Sequence, residues 1–165
     1  MRSTIARFTL IFVVAFSAST LSAKDSLGIF ESWGAFRDAP NGRCYAIATP
    51  LPTASKRDIA AYASVGTWPQ RRLRGQVYFK LGRRTRPGTR ISLRVGNSWY
   101  KMSGSRSDVW AFDAQTNAAI LAGMRSSQSM TIAAFDTRGN RFTDRYPLAG
   151  AATAIDAATL ACGRK

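Results

Sequence analysis

The chain has 165 residues, no histidine, two cysteines and a formal net charge of +15. Without histidine, neither a Ser-His-Asp triad nor a Cys-His pair can form, so the composition excludes these two kinds of nucleophilic catalysis and excludes metal sites built on histidine. The length allows one compact domain with a real core and leaves little room for a second.

Residues 1–23 have the pattern of a secretory signal peptide. Arg2 and Arg7 form a positively charged start, residues 8–16 form an apolar run, and the rest is small and polar. The run is too short to span a bilayer, and no later segment is long and apolar enough for a membrane helix. An uncleaved N-terminal anchor is the alternative. We therefore expect an exported protein, periplasmic or secreted and surface-associated, whose residues 24–165 form a single β-rich domain.

Strand-forming residues and turn residues alternate along most of the mature chain. The predicted strands are residues 29–36, 44–48, 60–68, 76–81, 89–95, 98–102, 109–112, 130–135 and 141–148. A turn with the sequence DAPNG joins the first two, and two prolines with charged residues predict a loop over residues 49–58. Residues 89–95 alternate apolar and polar side chains, and Gly96 with Asn97 predicts a tight hairpin turn after them.

Two segments have helical patterns. Asp113 is a predicted cap for a helix over residues 114–124, and the Ala-rich residues 150–161 predict a second helix that brings Cys162 to the sheet. The apolar face of the second helix is predicted to contain Leu148, Ala152, Ile155 and Thr159. With eight or nine strands against two short helices, the predicted fold class is mainly β, an antiparallel β-sandwich or a partly open barrel.

The two cysteines are Cys44, in a predicted strand, and Cys162, close to the C-terminus. Two cysteines usually pair in an oxidising compartment, and this bond would close nearly the whole mature chain, worth about 4–5 kcal/mol in the chain-entropy model. Two free buried thiols are the alternative. Two cysteines without histidine are too few ligands for structural zinc, so we expect no metal site, and no motif indicates a cofactor.

The positive charge is concentrated in the middle of the chain. Between residues 59 and 107 there is no acidic residue, whereas eleven residues are Lys or Arg, nine of them Arg. Guanidinium groups suit bidentate contact with phosphate or carboxylate. The candidate anion-binding patch consists of Arg71, Arg72, Arg74, Arg83, Arg84, Arg86, Arg90 and Arg94.

Three interpretations of this charge are open. It forms a solvated surface without a partner, or it docks on anionic lipid, lipopolysaccharide, acidic glycan or an acidic protein, in which case binding falls with salt. The third interpretation is a nucleic-acid site in which Tyr78, Phe79, Trp99 and Tyr100 stack on bases. Export disfavours nucleic acid as a partner, and these aromatic residues also suit the core or cross-strand pairs.

Carboxylate pairs are the remaining candidates for catalysis. Asp108 with Asp113, and Asp136 with Asp144, lie beside predicted turns or at a helix start, where capping and turn bonding are ordinary roles. No glycine-rich phosphate loop follows a predicted strand. We therefore expect no enzymatic activity. The alternative is a small periplasmic ligand-binding protein or hydrolase with a pocket near Asp113.

Several short motifs follow one another in a characteristic order. They are F-x-x-W-x-x-F at residues 30–36, C-Y-A at 44–46, a strand ending in Pro at 62–69, V-W-A-F-D at 109–113, A-I-L-A-G-M-R at 119–125, S-M-T-I at 129–132, D-R-Y-P-L-A-G at 144–150, and a terminal Cys162. This order resembles the invasion-associated locus B family over residues 30–162. The resemblance implies an exported, periplasmic or surface-associated bacterial protein with a β-rich fold. It supplies no catalytic residues, and the arginines of residues 71–94 match no motif of that family.

Overall fold

A computed structural model describes residues 24–54 and 56–163, so the predicted signal peptide at residues 1–23 lies outside the described residues. The strands within these ranges are β1 (Asp25–Phe30), β2 (Trp33–Asp38), β3 (Arg43–Ala48), β4 (Tyr62–Trp68), β5 (Leu73–Lys80), β6 (Ile91–Val95), β7 (Ser98–Ser105), β8 (Asp108–Ala111), β9 (Ser129–Phe135) and β10 (Arg141–Pro147). The helices are α1 (Ala114–Ser126) and α2 (Ala151–Gly163), and a short 3-10 helix covers Pro69–Arg71. Among the described residues, no helix has the length and apolarity needed to cross a membrane.

All ten strands belong to one antiparallel sheet with the order β1-β2-β3-β4-β5-β8-β7-β6-β9-β10. Most strands pair with their neighbours in the chain, but β5 pairs with β8 and β6 pairs with β9, which inserts β6, β7 and β8 in reverse order. Within the described ranges, no ladder closes the sheet by joining β1 to β10. The fold is therefore mainly β with two helices, which confirms the predicted fold class.

The two halves of the sheet nevertheless approach each other. The indole Nε1 of Trp33 donates to the carbonyl of Pro147 at 2.9 Å, and the backbone N–H of Leu51 donates to the carbonyl of Arg145 at 2.8 Å. The rings of Phe79 on β5 and Tyr146 on β10 meet edge to face, 5.8 Å between centroids. The sheet thus curls around its apolar face until the opening strands and β10 touch.

The alternating pattern of each strand sends its apolar side chains to this inner face. On β6, Ile91, Leu93 and Val95 are buried, while Ser92 is half-buried and Arg94 is exposed. Full burial of such side chains is worth about 1.5–3 kcal/mol each. The core is continuous from β2 to β10, and α2 covers the part of it formed by β1 to β4.

The buried stripe of helix α2 shares Ile155 with the predicted apolar face but is shifted by one residue at its other positions, and Leu148 of that face is buried just before the helix. The side chains that it buries are Ala151, Ala154, Ile155 and Ala158, at the i, i+3, i+4 and i+7 spacing of one helix stripe. Of the predicted face, Ala152 and Thr159 are only partly buried. Because α2 has alanines on all its faces, its sequence does not single out one apolar stripe. The packing of the helix on the sheet decides which stripe is buried.

The opening of the chain also differs from the prediction. The predicted strand at residues 29–36 is in fact two strands, β1 and β2, joined by a turn in which Glu31 has a φ of 52°. This turn contains no Gly, Pro, Asn or Asp, and Ser32, a weaker turn former, is the one turn signal that the sequence carries there.

The predicted disulfide is confirmed. Cys44 on β3 and Cys162 on α2 are bonded, with 5.7 Å between their Cα atoms and 118 positions between them in the sequence. Cys44 is fully buried. The bond fixes the C-terminal helix to the third strand and so joins the two ends of the described chain.

Candidate functional site

Three connections meet at the end of the sheet where β5 finishes. They are the β5–β6 loop, the β7–β8 turn and the β9–β10 turn. The backbone N–H and the hydroxyl of Thr85 each donate to the carbonyl of Arg106 at 2.7 Å, which joins the first two connections. The backbone N–H of Arg86 donates to the carbonyl of Phe135 at 3.1 Å, which joins the loop to the third. Segments far apart in the sequence therefore share one rigid end of the sheet.

Seven cationic residues lie on these connections and on the loop after β3. This set, which we name the basic end, consists of Lys56, Arg83, Arg84, Arg86, Arg90, Arg106 and Arg138. Inside the described chain, Arg83 is the one member whose side chain has an ion-pair or hydrogen-bond partner. All the others are exposed. Among the described residues, the basic end therefore presents six positive charges without an ion-pair partner, beside the single exposed carboxylate of Asp58.

Arg83 acts as the support of this end. Its Nη1 donates to a carboxylate oxygen of Asp136 at 3.2 Å, and its Nη2 and Nε donate to the carbonyl of Lys56 at 2.9 and 3.2 Å. Asp136 is almost buried, which opposes ionisation, but backbone N–H groups of Asn140 and Arg138 and the guanidinium of Arg83 hold its pKa below the usual range. The carboxylate of Asp136 thus stays ionised and neutralises the charge of Arg83 within the fold.

An open cleft of about 480 Å³ lies among these groups. Lys56, Arg84 and Arg138 line it together with Asp58 and Asn140. Three cations against the one carboxylate of Asp58 leave this concave surface with a net positive charge, which suits a phosphate or carboxylate group. Each exposed contact of this kind is worth only about 0–1 kcal/mol, so useful affinity requires several of them at once.

An ion pair with a buried carboxylate lies in a neighbouring pocket that Arg83 also lines. Asp144 on β10 is 1% exposed and accepts a hydrogen bond from Nε of Arg57 at 2.7 Å and another from the backbone N–H of Gly82 at 2.9 Å. These bonds tie the loop after β3 and the end of β5 to β10. The loop after β3 and the end of β5, which carry Lys56, Arg83 and Arg84, are therefore held against β10.

The remaining members of the predicted patch lie elsewhere. Arg71, Arg72 and Arg74 are at the start of β5, so this eight-residue strand, roughly 26 Å at 3.3 Å per residue, separates them from the basic end. Arg94 lies on β6, where its Nε donates to the carbonyl of Gly96 in the β6–β7 turn at 2.9 Å. The eight predicted arginines thus do not form one surface. The four that the fold gathers at the basic end are Arg83, Arg84, Arg86 and Arg90.

The predicted patch leaves out three members of the basic end, Lys56, Arg106 and Arg138, although Arg106 is one of the eleven basic residues between residues 59 and 107. They lie in separate loops and turns, outside the Arg-rich residues 71–94. Only the pairing of strands distant in sequence brings them together, so no local pattern reveals them.

The predicted carboxylate pairs have separate structural partners. Asp108 accepts hydrogen bonds from the hydroxyl of Tyr78 at 2.6 Å and from the ammonium of Lys80 at 2.9 Å. Asp113 caps α1 by accepting from the backbone N–H of Thr116 at 2.7 Å, and it does not line the cleft of the basic end. The other pair, Asp136 and Asp144, is held by the bonds given above. Each of the four carboxylates therefore has a role in the fold.

The four aromatic residues considered for base stacking do not share a face. Phe79 is fully buried and Tyr100 packs against the core, whereas Tyr78 and Trp99 point to the outer face of the sheet. Neighbours in a strand point in opposite directions, so adjacent aromatic residues cannot form one stacking platform.

The fold and this site define a disulfide-linked, curled antiparallel sheet with a cationic end. No protein-family model matches the chain, and no curated protein matches it in sequence. Among solved structures, the chain is similar to the crystal structure of invasion associated protein B from Bartonella henselae. The TM-score is 0.55 at 13% sequence identity, and the match covers 87% of this chain and 100% of that chain. The resemblance stated from the sequence is thereby confirmed at the level of the fold.

Proposed function

We propose that the protein is an exported bacterial envelope protein of the invasion-associated locus B type, without enzymatic activity, that docks through the basic end on an anionic surface or partner. Export is supported by the pattern of residues 1–23 and by the bond between Cys44 and Cys162, because disulfides persist in oxidising compartments. The fold likeness supports the envelope role. The absence of a catalytic role is proposed because the aspartates considered for catalysis are engaged in structural bonds.

The observation that carries the docking proposal is the group of six cations at the basic end that have no ion-pair partner within the described ranges. Their fields add at short range and attract phosphate or carboxylate groups, while salt screens them over about 8–10 Å. Because the supporting bonds of Thr85, Asp136 and Asp144 are already formed, the backbone that carries these cations needs little ordering when a partner binds, and the main remaining cost is the ordering of the exposed side chains. Candidate partners are anionic lipid, lipopolysaccharide, acidic glycan and an acidic protein surface.

The test compares two charge reversals of equal size. The first variant is Arg84→Glu with Arg138→Glu, at the basic end, and the matched control is Arg72→Glu with Arg74→Glu, at the far end of β5. Binding to phosphatidylglycerol vesicles and to immobilised lipopolysaccharide is measured over a range of salt concentrations. We expect the first variant to lose about tenfold or more in affinity and to show a weaker salt dependence, while the control loses little.

Equal losses in the two variants would mean that only net charge matters, and the proposed site would be wrong. Salt-insensitive binding, or no binding to either preparation, would argue against a docking role on lipid or lipopolysaccharide. Circular dichroism of both variants checks that the sheet is intact.

A further inference from the structure

A row of aromatic rings crosses the outer face of the sheet, the face turned away from the core. Tyr62 on β4, Tyr78 on β5 and Trp110 on β8 follow one another with ring centroids 5.7 and 5.4 Å apart. Trp68, also on β4, folds back along the strand, since a Cβ added to Gly66 would lie 2.5 Å from carbons of its indole ring. Aromatic groups in such number on the solvent side of a sheet usually mark a binding surface.

These rings border a groove of about 480 Å³, which we name the outer groove and define by Tyr45, Tyr62, Trp68, Tyr78 and Trp110. Its volume lies within the range of small-molecule sites. The groove is on strands β3, β4, β5 and β8, so it is separate from the basic end, and neither surface depends on the other.

Polar groups that make no hydrogen bond to another described residue lie between the rings. The hydroxyl of Ser64, the amide of Gln76 and the ammonium of Lys24 line the outer groove and form no hydrogen bond within the described chain. The hydroxyl of Tyr78, in contrast, is already bonded to Asp108. A ligand that fits this groove must therefore offer apolar faces to the rings and hydrogen-bonding groups at its rim.

The charge of the outer groove is positive. Lys24 and Arg43 line it, and none of the acidic residues that the structure describes does. The guanidinium of Arg43 lies 4.9 Å from the ring centre of Tyr45 and its Nε is bonded to Asp38 at 3.0 Å, whereas the ammonium of Lys24 is 6.0 Å from the same ring and has no acidic partner inside the described ranges. This arrangement favours an anionic ligand.

Two other kinds of occupant fit less well. The four strands under the groove are internal to the sheet and have neighbours on both sides, so a peptide cannot bind there by adding a strand. A lipid surface would cover Ser64 and Gln76 with acyl chains and leave their polar groups without hydrogen bonds, which is costly. A sugar ring has both an apolar C–H face and peripheral hydroxyl groups.

We propose that the outer groove binds an acidic saccharide. The C–H faces of the sugar rings stack on the aromatic rings, of which Trp110 is the most accessible at 38% exposure. The hydroxyl groups of the sugar bond to Ser64 and Gln76, and the carboxylate of the sugar lies near Lys24. The chemical class of the ligand is a pyranose oligosaccharide that carries carboxylate groups.

The test begins with an array of uronic-acid and sialic-acid oligosaccharides beside neutral oligosaccharides of equal length, followed by calorimetric titration of the best acidic binder. Trp110→Ala is the groove variant, and Trp99→Ala is its matched control, because Trp99 is also on the outer face, is 61% exposed and does not line the groove. We expect acidic sugars to bind in preference to neutral ones. Affinity should fall about tenfold or more in Trp110→Ala and in Gln76→Ala, and should be unchanged in Trp99→Ala.

Several outcomes would overturn the proposal. They are no binding of any acidic saccharide, equal loss in the two tryptophan variants, or loss of saccharide binding in Arg84→Glu with Arg138→Glu while Trp110→Ala binds normally. The last outcome would place the sugar at the basic end. Binding of phosphatidylglycerol vesicles that depends on Trp110, without saccharide binding, would make the groove a membrane contact instead.

Discussion

Replacing both cysteines with alanine is expected to lower the free energy of unfolding by about 4–5 kcal/mol. The bond spans 118 positions, and the chain-entropy relation for a loop of this length gives about 16 cal/mol/K, or about 4.9 kcal/mol at 25 °C. Alanine is the suitable replacement, because Cys44 is fully buried and serine would place an unpaired hydroxyl in the core. Typical domains have about 5–15 kcal/mol in total, so the expected loss is a large share.

The assay is equilibrium unfolding in urea followed by tryptophan fluorescence. Oxidised wild-type protein is compared with Cys44→Ala/Cys162→Ala, and reduced wild-type protein serves as the matched control. Reduction removes the cross-link but keeps both sulfur atoms, so any further loss in the double variant measures the packing of the thiols. The dependence of the unfolding free energy on urea is expected to be steeper without the bond, because the denatured chain is then more open.

A loss below about 1 kcal/mol would refute this reasoning. It would mean that the denatured chain already keeps its two ends close, or that the covalent bond strains the packing of α2 on the sheet enough to offset its entropic effect. An unchanged urea dependence would point to the first explanation.

Two further predictions concern single side chains. Tyr146→Phe is expected to leave stability unchanged or raise it by up to about 1 kcal/mol, because the hydroxyl is buried without a partner among the described residues; a fall in the urea midpoint would contradict this. The hydroxyl of Tyr78 and the ammonium of Lys80 lower the pKa of Asp108 despite partial burial. The ionised carboxylate therefore stabilises the fold above its unfolded pKa of about 3.9, and this contribution is lost as pH falls through the lower folded pKa. Asp108→Asn should flatten the decline of stability below about pH 4, measured by urea unfolding at a series of pH values, and an identical decline would disprove the assignment.

Features that depend on neighbouring residues could be predicted from the sequence. The alternation of Ile91, Leu93 and Val95 with polar residues gave β6 its buried face, and Gly96 occupies the left-handed conformation that the hairpin turn requires. Asp113 caps α1 as its position before a helical pattern indicated. In each case the interactions that form the element involve residues only a few positions apart, so the local sequence pattern is enough to predict the element.

Features that depend on register between distant segments could not be predicted. The basic end exists because Thr85 bonds to Arg106 and Arg86 bonds to Phe135, pairs separated by tens of residues. The outer groove exists because β5 pairs with β8 and places Tyr78 opposite Trp110. Alternation shows that a strand has two faces, but only the completed core decides which one remains outside.

The contacts between the two halves of the sheet have a consequence for the order of folding. The indole of Trp33 donates a hydrogen bond to the carbonyl of Pro147, and the backbone N–H of Ser32 donates one to the carbonyl of Ala149. Each acceptor lies more than a hundred positions after its donor in the sequence. Until these residues arrive, the early strands have no cover for small apolar side chains such as Ala35. Closing loops of this length is slow, and an unfinished sheet offers its edge to other chains, so a chain truncated before α2 should associate rather than fold.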